Sequence, residues 1–102
     1  MTDVDGTYDC QSKTPMGDQQ SVLVLTSEGG RPSATITFMG EQLTLQDLAV
    51  DQRGMTWRMT INQPFVIPLD GRATFAGDQL QGTIDAGPFG IFPVSGRKRG
   101  QA

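Results

Sequence analysis

The chain has 102 residues, 36% hydrophobic and 19% charged, with a formal net charge of -3 and a pI of about 4.6. That length fits one domain, 1–102, with a modest core and frayed ends at 1–4 and 98–102. The acidic balance argues against non-specific nucleic-acid binding, which needs a basic footprint. The absence of histidine removes Ser-His-Asp and Cys-His sites and the usual zinc sets.

No apolar stretch is long enough to span a bilayer, and the first residues lack the basic and apolar regions of a signal peptide. Cys10 is the single cysteine and has no internal disulfide partner, which fits a reducing compartment. The expectation is a cytoplasmic protein with no membrane or nucleic-acid partner, no metal and no cofactor.

In chain order, the first segment, Thr7 to Lys13, offers Tyr8 and Cys10 as inward groups. Val22 to Leu25 is apolar on both parities, which predicts a strand covered on both faces or packed against a neighbour. Ala34, Ile36 and Phe38 alternate with threonines, as one buried strand face requires. Leu43 and Leu45 alternate more weakly. The surrounding "EQLTLQDLAVDQ" also admits a single helical turn, but it is too short and uncapped to be preferred.

Met55, Trp57, Met59 and Ile61 form the next inward row. Phe65, Ile67, Leu69, Gly71, Ala73 and Phe75 form another, leaving Val66, Pro68 and Ala76 outward as the first candidates for a self-association surface. Leu80, Gly82, Ile84 and Ala86 follow. Gly87-Pro88 ends that strand, Gly90 permits a tight return, and Ile91 to Arg97 reads as the last strand. Pro93 inside it implies an edge, a bulge or a barrel seam. Phe89 and Phe92 belong to this closing turn, or else line a barrel mouth.

Short connections rich in Gly, Pro and Asp join these segments, so consecutive strands pair antiparallel. The result is an all-β, antiparallel up-and-down meander of about eight strands. A small closed barrel is expected because closure removes exposed edges, with an open two-sheet sandwich as the alternative.

Gly6-Thr7-Tyr8 resembles the Gly-x-Trp lead motif of calycin-type barrels: the lipocalins, fatty-acid-binding proteins and avidin/streptavidin group. The resemblance implies a late cation, Arg97 or Arg99, packed over the Tyr8 ring to close the barrel. The chain is also similar to small streptavidin-like bacterial domains of unknown function. The shared elements are Thr14-Pro15 with Gly17, Gly77-Asp78 with Leu80 and Gly82, and Gly87 with Phe89-Gly90. The polar residues that hold biotin in avidin-type proteins have no match here, so biotin binding does not carry over.

Chemistry for catalysis is missing. Asp70, Asp78 and Asp85 sit at turns or on outward parities, and Asp47 and Asp51 have no evident partner. Asp3, Asp5 and Asp9 would at most bind a cation loosely. The sequence therefore points to a non-catalytic binding domain. A small apolar ligand would be held by Phe38, Met55, Trp57, Met59, Phe65, Phe75 and Phe89. These side chains can equally fill an eight-stranded barrel, leaving an outer surface for a homodimer or another protein. The filled case is preferred, because almost nothing polar lies inward to orient a ligand.

Overall fold

The computed structural model describes residues 4–14, 17–38, 40–61 and 66–99. Among them, nine strands form one antiparallel sheet: β1 (Gly6–Thr14), β2 (Gly17–Glu28), β3 (Arg31–Phe38), β4 (Glu41–Thr44), β5 (Gln46–Val50), β6 (Gly54–Ile61), β7 (Ile67–Ala76), β8 (Gln79–Asp85) and β9 (Ile91–Lys98). Their order is β4-β3-β2-β1-β9-β8-β7-β6-β5. It is a meander whose first and last strands pair in the middle of the sheet.

The sheet closes on itself through residues 41–50. Glu41–Thr44 pair with β3, and the N–H of Leu45 donates to the carbonyl of Ala34 at 3.0 Å. The chain then crosses to pair with β6, from Gln46 opposite Arg58 to Val50 opposite Met55. The ladder slips between Gln46 and Ala49, and Asp47 takes a positive φ of 49°. Such a bulge bends a strand sharply. β4 and β5 are thus one bent ribbon shared by both edges, so the structure is a nearly closed barrel rather than a two-sheet sandwich. The helical turn that this segment also admits is absent.

Alternation explains most of the wall. In β6 and β7 buried and exposed residues alternate strictly, with Met55, Trp57 and Met59 facing Ala73, Gly71 and Leu69 across the ladder. β2 is packed between β1 and β3 rather than covered on both faces. Leu23 and Leu25 point inward and are buried, whereas Val24 is 37% exposed. A barrel strand has only one inner face, so the apolar valines between the leucines take the outside.

The β2–β3 connection is the two-residue turn Gly29-Gly30, with φ of 58° and 80°. Positive φ at both central residues is what a type I′ hairpin demands. Pro93 sits where the β1–β9 ladder has already ended at Val94, so its missing N–H interrupts nothing on that side.

Val4, Lys98 and Arg99 join the barrel. Val4 is buried and accepts a 2.7 Å hydrogen bond from the Tyr8 hydroxyl. Lys98 completes β9, and the N–H of Arg99 donates to the carbonyl of Thr7.

Curvature comes from small inward residues. A Cβ on Gly71 would overlap the Trp57 ring, and one on Gly82 would overlap the carbonyl of Arg72. The indole therefore occupies the space that a Gly71 side chain would need. Gly71→Val should destabilise the barrel by about 2–3 kcal/mol, as overpacking does. Urea unfolding should also find part of that loss recovered when Trp57 is replaced by Leu in the same chain. An unchanged midpoint for Gly71→Val would place the ring elsewhere.

Candidate functional site

Inside the barrel, Met55, Trp57 and Met59 are buried in the core with Leu23, Leu25, Leu69 and Leu80. Phe75 is half-buried and packs on Tyr8, with ring centroids 6.0 Å apart and planes inclined at 41°. Phe38 is half-buried near one pole, opposite Ser21 and Glu41. Phe65 lies outside the described residues. Phe89 does not line the interior. It projects from a 3₁₀ turn (Gly87–Phe89) and is 47% exposed, because Gly87 at a φ of 63° starts that turn and breaks the strand parity.

Among the described residues Ser21 is buried, and two further polar groups face the otherwise apolar interior. Tyr8 is 1% exposed and its hydroxyl is satisfied by Val4. Burial, with Asp78, Asp5 and Cys10 nearby, raises its pKa. The second feature is the Trp57 indole N–H, which is buried and meets no acceptor. Cys10 is buried, and desolvation, reinforced by Asp9, pushes its thiol up to about 11. Such a thiol stays protonated and poorly nucleophilic at neutral pH.

The cation expected over Tyr8 is not Arg97. That side chain is exposed on the outer wall, opposite Asp9 and Gln79. Arg99 also points outward, where its guanidinium donates to both Asp9 carboxylate oxygens at 2.9–3.2 Å. The residue opposite Tyr8 is Lys98, whose stem lies over Gly6: a Cβ there would sit 3.3 Å from Cγ and 3.4 Å from Cδ. Parity could have found it, since Val94, Gly96 and Lys98 share one face of β9.

Exposed apolar groups gather at one pole. Val66 is 68% exposed just before β7, Ile91 is 63% exposed at the start of β9, and Phe89 lies on the turn between β8 and β9. β7 starts, β8 ends and β9 starts at that same pole. Pro68 and Ala76 are exposed on the outer face of β7.

Two adjoining clefts of about 550 and 740 Å³ run across the outer wall over β5–β8. Arg72, Thr56 and Thr83 border both, and Thr56 and Thr83 are the ladder neighbours of Arg72. The first cleft adds Asp47, Arg58, Asp70 and Asp85; the second adds Asp51 and Arg53. Curvature, not any one side chain, forms them, so no sequence motif announces them. Among the described residues, no group of three or more His, Cys, Asp or Glu is placed to hold a metal ion.

With this geometry the protein falls into the class of small antiparallel β-barrels. Its fold is similar to that of a redesigned beta barrel, with a TM-score of 0.56 and 13% sequence identity, over 95% of this chain and 92% of that one. At that identity the likeness concerns the fold alone. No family model and no curated protein matches the chain.

The Asp9–Arg99 pair ties the first strand to the end of the last. The guanidinium holds the Asp9 carboxyl below its ordinary value of 3.8, chiefly by hydrogen bonding. A depressed carboxylate pKa contributes stability above the ordinary value, lost as pH falls through the lower folded value. Both side chains are more than half exposed, so salt should weaken the pair. An NMR titration should place the Asp9 midpoint below 3.8, and Arg99→Gln should return it to the ordinary carboxylate range. An Asp9 midpoint indifferent to that substitution would dissolve the tie.

Proposed function

We propose that this protein is a non-catalytic binding barrel that engages a second copy of itself through its apolar pole. The observation that carries this reading is the exposure of Val66, Phe89 and Ile91 at the end of the barrel where β7 and β9 start. Much of the outer wall elsewhere is built of Thr, Gln, Asp and Arg. On this reading the barrel's own side chains fill its interior, and the binding energy comes from outside. A two-fold dimer is the simplest assembly that buries one patch against itself. Three side chains make an interface smaller than the usual stable size of about 1,200 Å² or more, so a weak, transient dimer is expected.

Light scattering across a concentration series should show a monomer–dimer equilibrium. The double variant Phe89→Ser/Ile91→Ser should stay monomeric with an unchanged melting temperature. A wild-type protein that remains monomeric throughout would overturn this reading.

A second reading is favoured by one specific observation, the unpartnered Trp57 N–H. A buried donor without an acceptor costs about 1–3 kcal/mol. An apolar molecule carrying one acceptor, such as a ketone or ester, would recover that cost inside the barrel. Calorimetry should then find ketone affinity reduced about tenfold in Trp57→Phe, roughly the worth of one good hydrogen bond. A hydrocarbon of equal size should lose nothing. Equal affinities for both ligands in both proteins would remove this reading.

A further inference from the structure

Together the two outer clefts hold four carboxylates against three arginines, but the larger one alone holds Arg53 and Arg72 against Asp51. Each carboxylate is engaged. Asp70 meets Arg58 at 3.0 Å, and Asp47 meets the same guanidinium at 3.9 Å. Asp51 accepts from the backbone N–H groups of Arg53 and Gly54 at 2.7 and 2.9 Å. Asp85 accepts from the N–H of Gly87 at 2.8 Å. Of the three arginines in the lining, Arg58 is thus committed. Arg53 and Arg72 form no direct ion pair among the described residues, although, beside those backbone N–H bonds, the charge of Arg53 helps to hold the Asp51 carboxyl below its ordinary value.

Both guanidinium groups border the larger cleft, whose lining holds Asp51 as its acid. Arg72 stands between the Thr56 and Thr83 side chains on the adjacent strands, all three facing outward. Thr74 and Gln81 form the next row across the same two strands. A guanidinium offers a planar fork of donors suited to carboxylate or phosphate, and flanking hydroxyls can donate to the remaining oxygens. The volume, about 740 Å³, lies within the usual range for small-molecule sites.

We propose that the outer-wall cleft over β5–β8 is a binding site for a small ligand bearing a carboxylate or phosphate group, gripped by Arg72 and Arg53. Arg72 supplies the bidentate contact, Thr56 and Thr83 orient it, and Arg53 adds charge from the β5–β6 turn. The site is local: the chain as a whole is acidic, so net charge would repel such a ligand rather than collect it. The larger cleft does not include the apolar pole, although the smaller one beside it reaches Ile91, and the proposal depends neither on dimerisation through that pole nor on a ligand in the barrel interior.

The test is an NMR titration of the whole chain with inorganic phosphate and, separately, with succinate, following the amides of Thr56, Gly82 and Thr83. Saturable shifts at millimolar concentration are expected for at least one anion. Saturation by phosphate alone assigns a phosphate-bearing ligand, and by succinate alone a carboxylate. Arg72→Gln should weaken binding about tenfold, as loss of a charge-assisted bidentate contact does. Arg72→Lys should recover only part of it. Arg97→Gln, the same charge change on a distant part of the wall, should leave affinity within about twofold if the effect is local rather than long-range screening. Absence of saturation with both anions, or equal losses from Arg72→Gln and Arg97→Gln, would overturn the proposal.

Discussion

Everything in this barrel depends on how the ribbon 41–50 divides its hydrogen bonds between two edges. An open antiparallel sheet would end in two unpaired strands, each a template for association. Here one segment serves both edges in turn. Leu45 is the pivot: it is 5% exposed, anchored in the core, and its N–H still belongs to β3. Beyond it, the slip between Gln46 and Ala49 sends the ribbon across to β6. The stretch of β3 that this leaves without a β4 partner, Arg31–Ser33, carries Pro32, which has no N–H to offer an incoming strand. Sealing the barrel in mid-chain leaves the chain ends to meet elsewhere. β1 and β9 pair at the centre of the sheet, bringing together Asp9 and Arg99, 90 residues apart.

Curvature is the second condition for closure, and it couples the inside of the wall to the outside. β7 and β8 carry Gly71, Ala73 and Gly82 inward, facing Trp57 and Leu80 among the large groups. Small residues let the backbones approach, and the indole fills the space over Gly71. The cost of this packing is the stranded Trp57 N–H, since a ring pressed against a glycine backbone among Met and Leu side chains finds no acceptor. Over the same three strands the outer face is dished rather than convex, and the clefts lie there.

Much of the fold was legible in the sequence because strand patterning has a period of two. Met55, Trp57 and Met59 alternate with Thr56 and Arg58, and any pairing register that buries one buries all three. The same logic placed Tyr8, Ile36, Leu69 and Leu80 inside. It failed where parity carries no information or was not applied. In Val22–Leu25 both parities are apolar, and only the shape of the wall assigns Val24 to solvent. Phe89 follows a glycine that resets the backbone, so counting from Ile84 cannot orient it. Arg97 fits the cation by chemistry alone, whereas counting from Val94 puts Lys98 inward and Arg97 outward. The ribbon pivot at Leu45 and the clefts were beyond reach for another reason. Each arises from registers among strands distant in sequence, which local pattern does not specify.

The two outer surfaces considered as binding regions differ in how they are attached to the fold. Phe89 and Val66 sit beyond the ends of strands, so their side chains can change without disturbing a ladder. Arg72 is different. Its side chain borders the clefts while its carbonyl is the atom that a Cβ on Gly82 would strike. The grip on a ligand and the bend of the wall therefore share one residue of β7. A side chain at Gly82 would press on the backbone of Arg72 and Ala73, so it should disturb the strand that carries Arg72. By the same linkage, a ligand that requires Thr56, Arg72 and Thr83 close together binds only the curved, closed barrel. It would then stabilise closure in proportion to its occupancy. In a domain of about this size, with a core this modest, such a contribution would be a substantial share of the total stability.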